Sequence, residues 1–294
     1  MKILVAYYSQ TGQLERILNT IITALQERPE IIVDRFLIKP IKSYPFPWTS
    51  KEFFDEFPEC VKGIPCDIEE NTTNLSEDYD LIILGYQPWF LSLSRPMSSF
   101  LHLSSTKKII KGKQIVTVIG CRNMWTQAQE MMKSHLKTLE ARLVGNIVLR
   151  DKAYNLISVY TILRWMFYGK KGNSGISEHD IIQSKIYGDY IADCLLANRP
   201  IDQNKLVSLG AVKSSYNLIF LEKRAVILFR LFADFVLNKG EHANKKREGR
   251  LLIFKIYLFA GIILLSPGTF FITKILQIVF PRKVKKEIDY FDGV

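Results

Sequence analysis

The sequence predicts an α/β fold, a doubly wound five-stranded parallel sheet, with an amphipathic to hydrophobic helical tail at the C-terminus. Three observations carry this. Five short β-rich runs recur over the first half of the chain, and three of them are nearly continuously apolar, as strands covered on both faces must be. Segments with helical apolar spacing separate or close the series, the pattern of a parallel sheet with crossover helices. After about residue 198 the chain changes to long aliphatic and aromatic runs bracketed by basic clusters.

The elements follow in order. "KILVAYYS" (2–9) reads as a buried strand, and Leu14, Ile17, Leu18, Ile21, Ile22 and Leu25 give the next segment, 13–27, the apolar face of a helix. "IIVDRFLI" (31–38), "DLIILGY" (80–86), "QIVTVIGC" (114–121) and "LVGNIVL" (143–149) supply four more strands, with helices at about 126–142 and 178–197. Two inserts interrupt the plan: 39–79, rich in proline and aromatics, and 151–176, which contains "YNLISVYTILRWMFYGKKGNSG". Both follow strands, so both should emerge at the edge where such sheets bind ligands, outside the strands' carboxyl ends.

The turn after the first strand, "SQTGQ" (9–13), places Ser9 and Thr11 hydroxyls and the permissive Gly12 at the start of a helix, where unpaired N–H groups and the helix dipole favour a phosphate. An ordinary capped helix start would look the same. No GxGxxG and no GxxxxGK[ST] is present, which argues against a dinucleotide fingerprint and an NTPase loop and leaves a lone phosphate monoester as the candidate. Two further strand-end loops, "GYQPWFLSLSRP" (85–96) and "GCRNMWTQ" (120–127), set Trp89, Phe90 and Trp125 beside hydrogen-bonding groups, as a planar heteroaromatic ring would require.

Composition narrows the partners. Of 294 residues, 48% are hydrophobic and 23% charged, which describes a folded chain. Residues 199–294 hold 17 Lys+Arg against 8 Asp+Glu, most of the net charge of +11, and this excess flanks apolar runs instead of interleaving with polar readout residues. That pairing suits a membrane surface and not nucleic acid. Cys60, Cys66, Cys121 and Cys194 lack metal-ligand spacing, so no metal is expected, and "MKILVAYYSQ" has no secretory pattern, so a reducing, cytoplasmic setting is expected.

Residues 1 to about 197 resemble flavodoxin-like FMN proteins, in which "SQTGQ" would be the phosphate turn. By that resemblance Ser9, Gln10, Thr11, Gly12 and Gln13 hold the phosphate of FMN. Gln87, Pro88, Trp89, Phe90, Gly120, Cys121, Arg122, Asn123 and Trp125 surround its ring. The usual turn ends in a further threonine, and here Leu14 takes that place, which implies weaker FMN binding. Over the whole chain, "YPFPWTS", "PECVKGIPC", "YQPWFLS", "IGCRNMW", "LVGNIVL" and "KKEIDYFDGV" are similar to the flavodoxin-like proteins of dialkylresorcinol and flexirubin-type pigment clusters, a family described both as condensing enzymes and as the aromatase.

Chemistry separates those two descriptions. A condensing enzyme needs a cysteine activated by histidine, and His102, His135, His179 and His242 stand in no ketosynthase-like setting. Aromatising a 2,5-dialkylcyclohexane-1,3-dione removes two hydrogens, which a flavin does naturally. The resemblance therefore implies an FMN-dependent dehydrogenase acting on a long-chain dione, with Arg122, Asn123 and Tyr86 as catalytic candidates: Arg122 to hold the enolate or flavin O2 and Tyr86 as a proton acceptor. A pathway ketosynthase or carrier protein is the implied protein partner. A generic FMN quinone reductase or electron carrier, and a membrane scaffold that has lost FMN, stay open as alternatives.

The tail, 199–294, is expected to associate with the cytoplasmic face of a membrane, peripherally or as a monotopic insertion. Residues 216–237 form an amphipathic helix or a core helix packed on the domain. "LLIFKIYLFAGIILL" (251–265) would span only about 22 Å as a helix, short of a hydrocarbon core of about 30 Å. "SPG" favours a break before "TFFITKILQIVF", so a re-entrant hairpin is expected, with "KKREGR" (245–250) and "PRKVKK" (281–286) on the same side and Lys255 and Lys274 reaching the headgroups.

Overall fold

The computed structural model describes residues 1–69, 75–76, 78–153 and 155–294; residues 70–74 and 77 of the first insert and residue 154 of the second lie outside the described residues. In chain order the elements are β1 (Lys2–Tyr7), α1 (Gln13–Gln26), β2 (Ile32–Leu37), α2 (Ser50–Asp55), α3 (Phe57–Lys62), β3 (Leu81–Tyr86), β4 (Pro88–Trp89), β5 (Ser92–Leu93), α4 (Arg95–His102) and α5 (Ser104–Ile110). There follow β6 (Gln114–Cys121), α6 (Thr126–Thr138), β7 (Arg142–Arg150), α7 (Asn155–Tyr168), α8 (Glu178–Gln183), α9 (Lys185–Leu196), α10 (Gln203–Ser208), α11 (Tyr216–Leu237), α12 (Glu248–Val279) and α13 (Pro281–Asp292).

The main sheet is parallel throughout, in the order β2-β1-β3-β6-β7. This is the flavodoxin-like order, whose direction of winding reverses between β1 and β3 and leaves a crevice at their carboxyl ends. Every residue of β3 is buried. Its last two residues face opposite ways: a Cβ on Gly85 would meet Leu18 of α1 at 2.6 Å, whereas the Tyr86 hydroxyl donates to Gln129 Oε1 of α6 at 2.5 Å. α1 and α6 thus cover the two faces. Gly188 lets α9 close on α1, since a Cβ there would stand 2.5 Å from the carbonyl oxygen of Ile21.

The tail does not form a separate layer. Ile201, Leu206, Ala211, Val212, Ile219 and Phe291 complete the main core, so the change of character near residue 198 separates helices from sheet but not one core from another. A second core joins the tail to the first insert: Phe54, Phe57 and Val61 of α2 and α3 pack with Phe229, Ala233 and Val236 of α11 and with Leu251 and Phe254 of α12. The Phe57 and Phe254 rings stack at 3.5 Å.

Beside this core lies a buried ionic cluster. Arg247 is fully buried and donates to both carboxylate oxygens of Glu59 at 2.6 and 2.8 Å and to the Asp55 carbonyl at 2.7 Å. Arg95 pairs with Glu56 at 2.7 Å, and His242 Nε2 meets the other Glu56 oxygen at 2.7 Å. The hydrogen bond to Glu56 raises the His242 pKa, and although burial opposes it, His242 and Arg95 together hold the Glu56 carboxyl below its ordinary value. Arg247 is therefore withdrawn from the basic flank expected at 245–250.

The expected break at Ser266-Pro267-Gly268 is absent: α12 runs unbroken from Glu248 to Val279. One proline removes one N–H from a ladder of 32 residues, and the turns on either side keep the helix registered. α12 returns antiparallel along α11, with Tyr257 on Phe232 at 4.6 Å near one end and the Thr273 hydroxyl donating to Asn217 Oδ1 at 3.3 Å near the other. Lys255, half-buried, donates to Ser50 Oγ at 2.8 Å. Among the described residues no helix is long and apolar enough to cross a membrane.

Candidate functional site

The carboxyl ends of β1, β3 and β6 and the two inserts enclose a cavity of about 260 Å³. Gln10, Thr11 and Gln13 line it from the first turn, Gln87, Pro88, Trp89 and Phe90 from the second, and Gly120, Cys121 and Arg122 from the third. Phe46, Trp48 and Phe53 of the first insert and Ile162, Trp165, Met166, Gly175 and Ile176 of the second close over it. Small-molecule sites commonly measure about 300–1,000 Å³, and this one is smaller because the inserts meet: the Trp48 N–H donates to the Met166 carbonyl at 2.7 Å. A larger cavity of about 440 Å³ lies under the first insert, off the strand ends, and Glu56, Arg95 and His242 on its wall are paired with one another.

The first turn is built for close approach. Gly12 caps α1 at φ +74° with no side-chain cap, and nothing lies within 4 Å of where its Cβ would be. Ser9 Oγ accepts from the Glu15 N–H at 3.2 Å, which occupies that hydroxyl in holding the helix start. Gln10 and Gln13 are tethers: Gln10 donates to the Pro45 carbonyl at 3.1 Å, and Gln13 exchanges two hydrogen bonds with the Ile176 backbone at 3.1 and 3.2 Å. Leu14 is buried in the core. The Thr11 hydroxyl and the amides opening α1 remain to face a ligand, a donor set that fits a phosphate with fewer side-chain contacts than the sequence suggests.

The walls suit a flat ring. Trp89 is packed edge-on against Tyr8, Tyr44 and Trp48 at 5.9, 5.0 and 5.7 Å, and Phe46 against Trp165 at 5.8 Å. The tip of the β4–β5 hairpin holds Phe90 and Leu91 at φ +48° and +62°, backbone strain that places Phe90 at the cavity. Asp151, at the end of β7, organises the second insert by accepting from the Ser158 hydroxyl at 2.9 Å and the Gly175 N–H at 3.3 Å.

Five predicted residues are not on the cavity wall: Ser9 and Gly12 of the first turn, Tyr86, Asn123 and Trp125. Tyr86 is fully buried in a chain running through Gln129 to Thr117 and Asn146, and desolvation pushes its phenol well above the usual range, so it cannot serve as proton acceptor there. Trp125 is in the main core, and Asn123, also buried, is not on the cavity wall. Cys121 does line the cavity, but burial, with Glu222 adding to it, pushes its thiol far up, which excludes a thiolate nucleophile. Arg122 lines the cavity as the cation; burial lowers its pKa to about 10, against the opposing pull of Cys121, Asp151 and Glu222, so it stays protonated at neutral pH.

Sequence reasoning missed Glu222. From α11 its carboxylate accepts from the Trp125 and Gln127 N–H groups at 3.2 and 3.1 Å, capping α6 and holding the loop that carries Arg122. In the sequence it is one of several charged residues, with Lys223, Arg224, Arg230 and Asp234, in a largely apolar helix. Burial raises its pKa to about 7, and the amides of α6 oppose that rise.

No family model and no curated protein matches the chain. Among solved structures it is similar to a flavoprotein in complex with FMN from Lactobacillus acidophilus (16% identity, covering 50% of this chain and 92% of that one, TM-score 0.40). It is also similar to a flavodoxin from the domain Archaea (14%, 67% and 99%, TM-score 0.38) and to a WrbA-like flavodoxin from Agrobacterium tumefaciens (12%, 67% and 99%, TM-score 0.39).

Glu222 yields a pH prediction. Its folded pKa of about 7 exceeds the ordinary 4.5, so the folded protein holds more protons than the unfolded chain between those values. Native stability should therefore fall, relative to Glu222→Gln, as pH rises from about 4.5 to 7. Thermal unfolding of both proteins across that range measures it; a difference independent of pH contradicts it.

Proposed function

We propose that this chain is an FMN-dependent oxidoreductase at a membrane surface that dehydrogenates a 2,5-dialkylcyclohexane-1,3-dione to a 2,5-dialkylresorcinol. One observation carries the reading: Arg122, the one charged side chain on the wall among the described residues, stands in an aromatic-walled cavity at the switch point of a flavodoxin-like sheet. The FMN in the Lactobacillus acidophilus complex belongs to that protein; here the support is the donor set and the walls.

Thr11 and the amides of α1 would hold the phosphate, and Trp89, Trp48, Phe46 and Trp165 would flank the ring. FMN, when bound, supplies a two-electron acceptor for hydride. The chain's own residues supply the rest. A cyclic 1,3-dione is acidic and would enter as its enolate; loss of a hydride from C5 and passage of one proton each from the neighbouring C4 and C6 to the two oxygens give the neutral resorcinol, so the site needs a cation to hold the two oxygens, while the Tyr86 phenol and the Cys121 thiol stay protonated. Arg122 presents a planar fork that can bond both enolate oxygens at once. The inserts, joined by the backbone hydrogen bond from Trp48 to Met166, narrow the opening of the cavity.

A second reading, a membrane scaffold without FMN, is favoured by the engaged side chains of Ser9, Gln10 and Gln13 and by buried Leu14. Yellow colour in the purified protein separates the two.

The catalytic prediction concerns Arg122. Arg122→Lys keeps the charge but loses the fork, and Arg122→Ala loses both. Anaerobic bleaching of the flavin by a synthetic dione should slow in the order native, Lys, Ala, with the last down by a factor on the order of 10² or more. Equal rates would remove Arg122 from the reaction, and no bleaching in the native protein would overturn the proposal.

The membrane part rests on exposed Leu264, Phe271, Ile275 and Ile278 along α12, next to exposed Arg282, Lys283, Lys285 and Lys286. At about 1 kcal/mol for each cation near an anionic surface, replacing these four cations by glutamine should weaken binding to phosphatidylserine vesicles, read by sedimentation, by a factor on the order of 10³ at low salt. Unchanged sedimentation, or none by the native protein, contradicts it.

A further inference from the structure

Arg122 lines a second cavity as well. It measures about 160 Å³ and is walled by Leu91 and Met124 from the strand-end loops, Leu221 and Ala225 of α11, and Leu258 and Gly261 of α12. Among the described residues Arg122 is the one charged side chain on its wall. An apolar cavity of about 150 Å³ stays dry and accepts a six-carbon guest, so this volume matches a short hydrocarbon and not a hydrated ligand. Val159 of α7 completes the wall, and the outer faces of α11 and α12 carry the exposed Ile227, Leu228, Ile253 and Ile256. An apolar guest thus has apolar surface on the helices outside and a guanidinium at the inner end.

We infer that this cavity seats one unbranched alkyl chain of the substrate, with the oxygen-bearing ring at Arg122 and about six methylenes between α11 and α12. The inference rests on the reading of the first cavity as the dione site. It also assigns the strain at the β4–β5 tip a second use, because Leu91, at φ +62°, is turned toward the chain while Phe90 is turned toward the ring.

The test is calorimetric binding of 2-alkylcyclohexane-1,3-diones, from methyl to decyl, to FMN-loaded and FMN-free full-length protein, with n-alkyl carboxylates as a parallel series. Affinity should rise about fourfold per methylene and level off near six carbons. Ala225→Leu and Gly261→Leu, which fill the cavity from opposite walls, should bring the plateau to shorter chains, and Leu258→Ala should move it to longer ones. A destabilised fold would not shift the plateau in both directions. Chain-length dependence that is absent, or that levels off at the same length in native protein and all three variants, overturns the inference. If carboxylates show the shifting plateau and diones do not bind, the chain site stands and the dione reading fails. If diones of every length bleach the flavin but bind alike, the dione reading stands and the chain site fails.

Discussion

Burying three carboxylates within five positions of one short segment is the constraint on which the rest depends. Asp55, Glu56 and Glu59 lie on or between α2 and α3 with 8%, 5% and 3% of their surface exposed, a cost that only matching cations can offset. Arg95 comes from the scaffold, and His242 and Arg247 come from the segment before α12. Removing either source would leave a buried charge without compensation. The pairing therefore fixes the first insert between the sheet and the tail, and with it the positions of Trp48 and Phe53 over the cavity. The same anchor sets Phe254 on Phe57, aligns α12 with α11 and so shapes the apolar cavity behind Arg122.

That architecture divides the chemistry sensibly. The groups that could act as strong bases or nucleophiles, Tyr86 and Cys121, are held protonated by burial, whereas the cation is kept and steered. Glu222 reaches from the tail to cap α6, so the loop bearing Arg122 is tied both to the sheet and to the helices that carry the exposed apolar face. The site is in this sense a joint between the α/β layer and the tail.

The sheet was legible because its signal is local. Strands covered on both faces must be apolar along most of their length, and 81–86 and 115–121, with Thr117 the one polar exception, are; the turn at 9–13 was legible because a helix start exposes donors wherever it occurs. The ionic cluster was not, since it joins residues nearly 190 positions apart and polar residues carry no period. For the same reason nothing distinguished Glu222 from the other charged residues of α11, Lys223, Arg224, Arg230 and Asp234. The side chains of Gln10 and Gln13 show another limit: both residues line the cavity, yet their amides are spent on Pro45 and Ile176, partners that only the folded inserts bring near. Proline at 267 misled because a local rule about helix breaking was outweighed by a 32-residue ladder packed along α11.

The central claim is that a phosphate-bearing flavin belongs between the α1 turn and the tryptophans of the two inserts. Titrating flavin-free protein with FMN while following tryptophan emission tests it most directly, because Trp48, Trp89 and Trp165 line the cavity and Trp125 does not. The account predicts saturable quenching of most of the emission, with riboflavin binding more weakly by on the order of tenfold for want of the phosphate at the helix start. Unquenched emission, or equal binding of FMN and riboflavin, would contradict it.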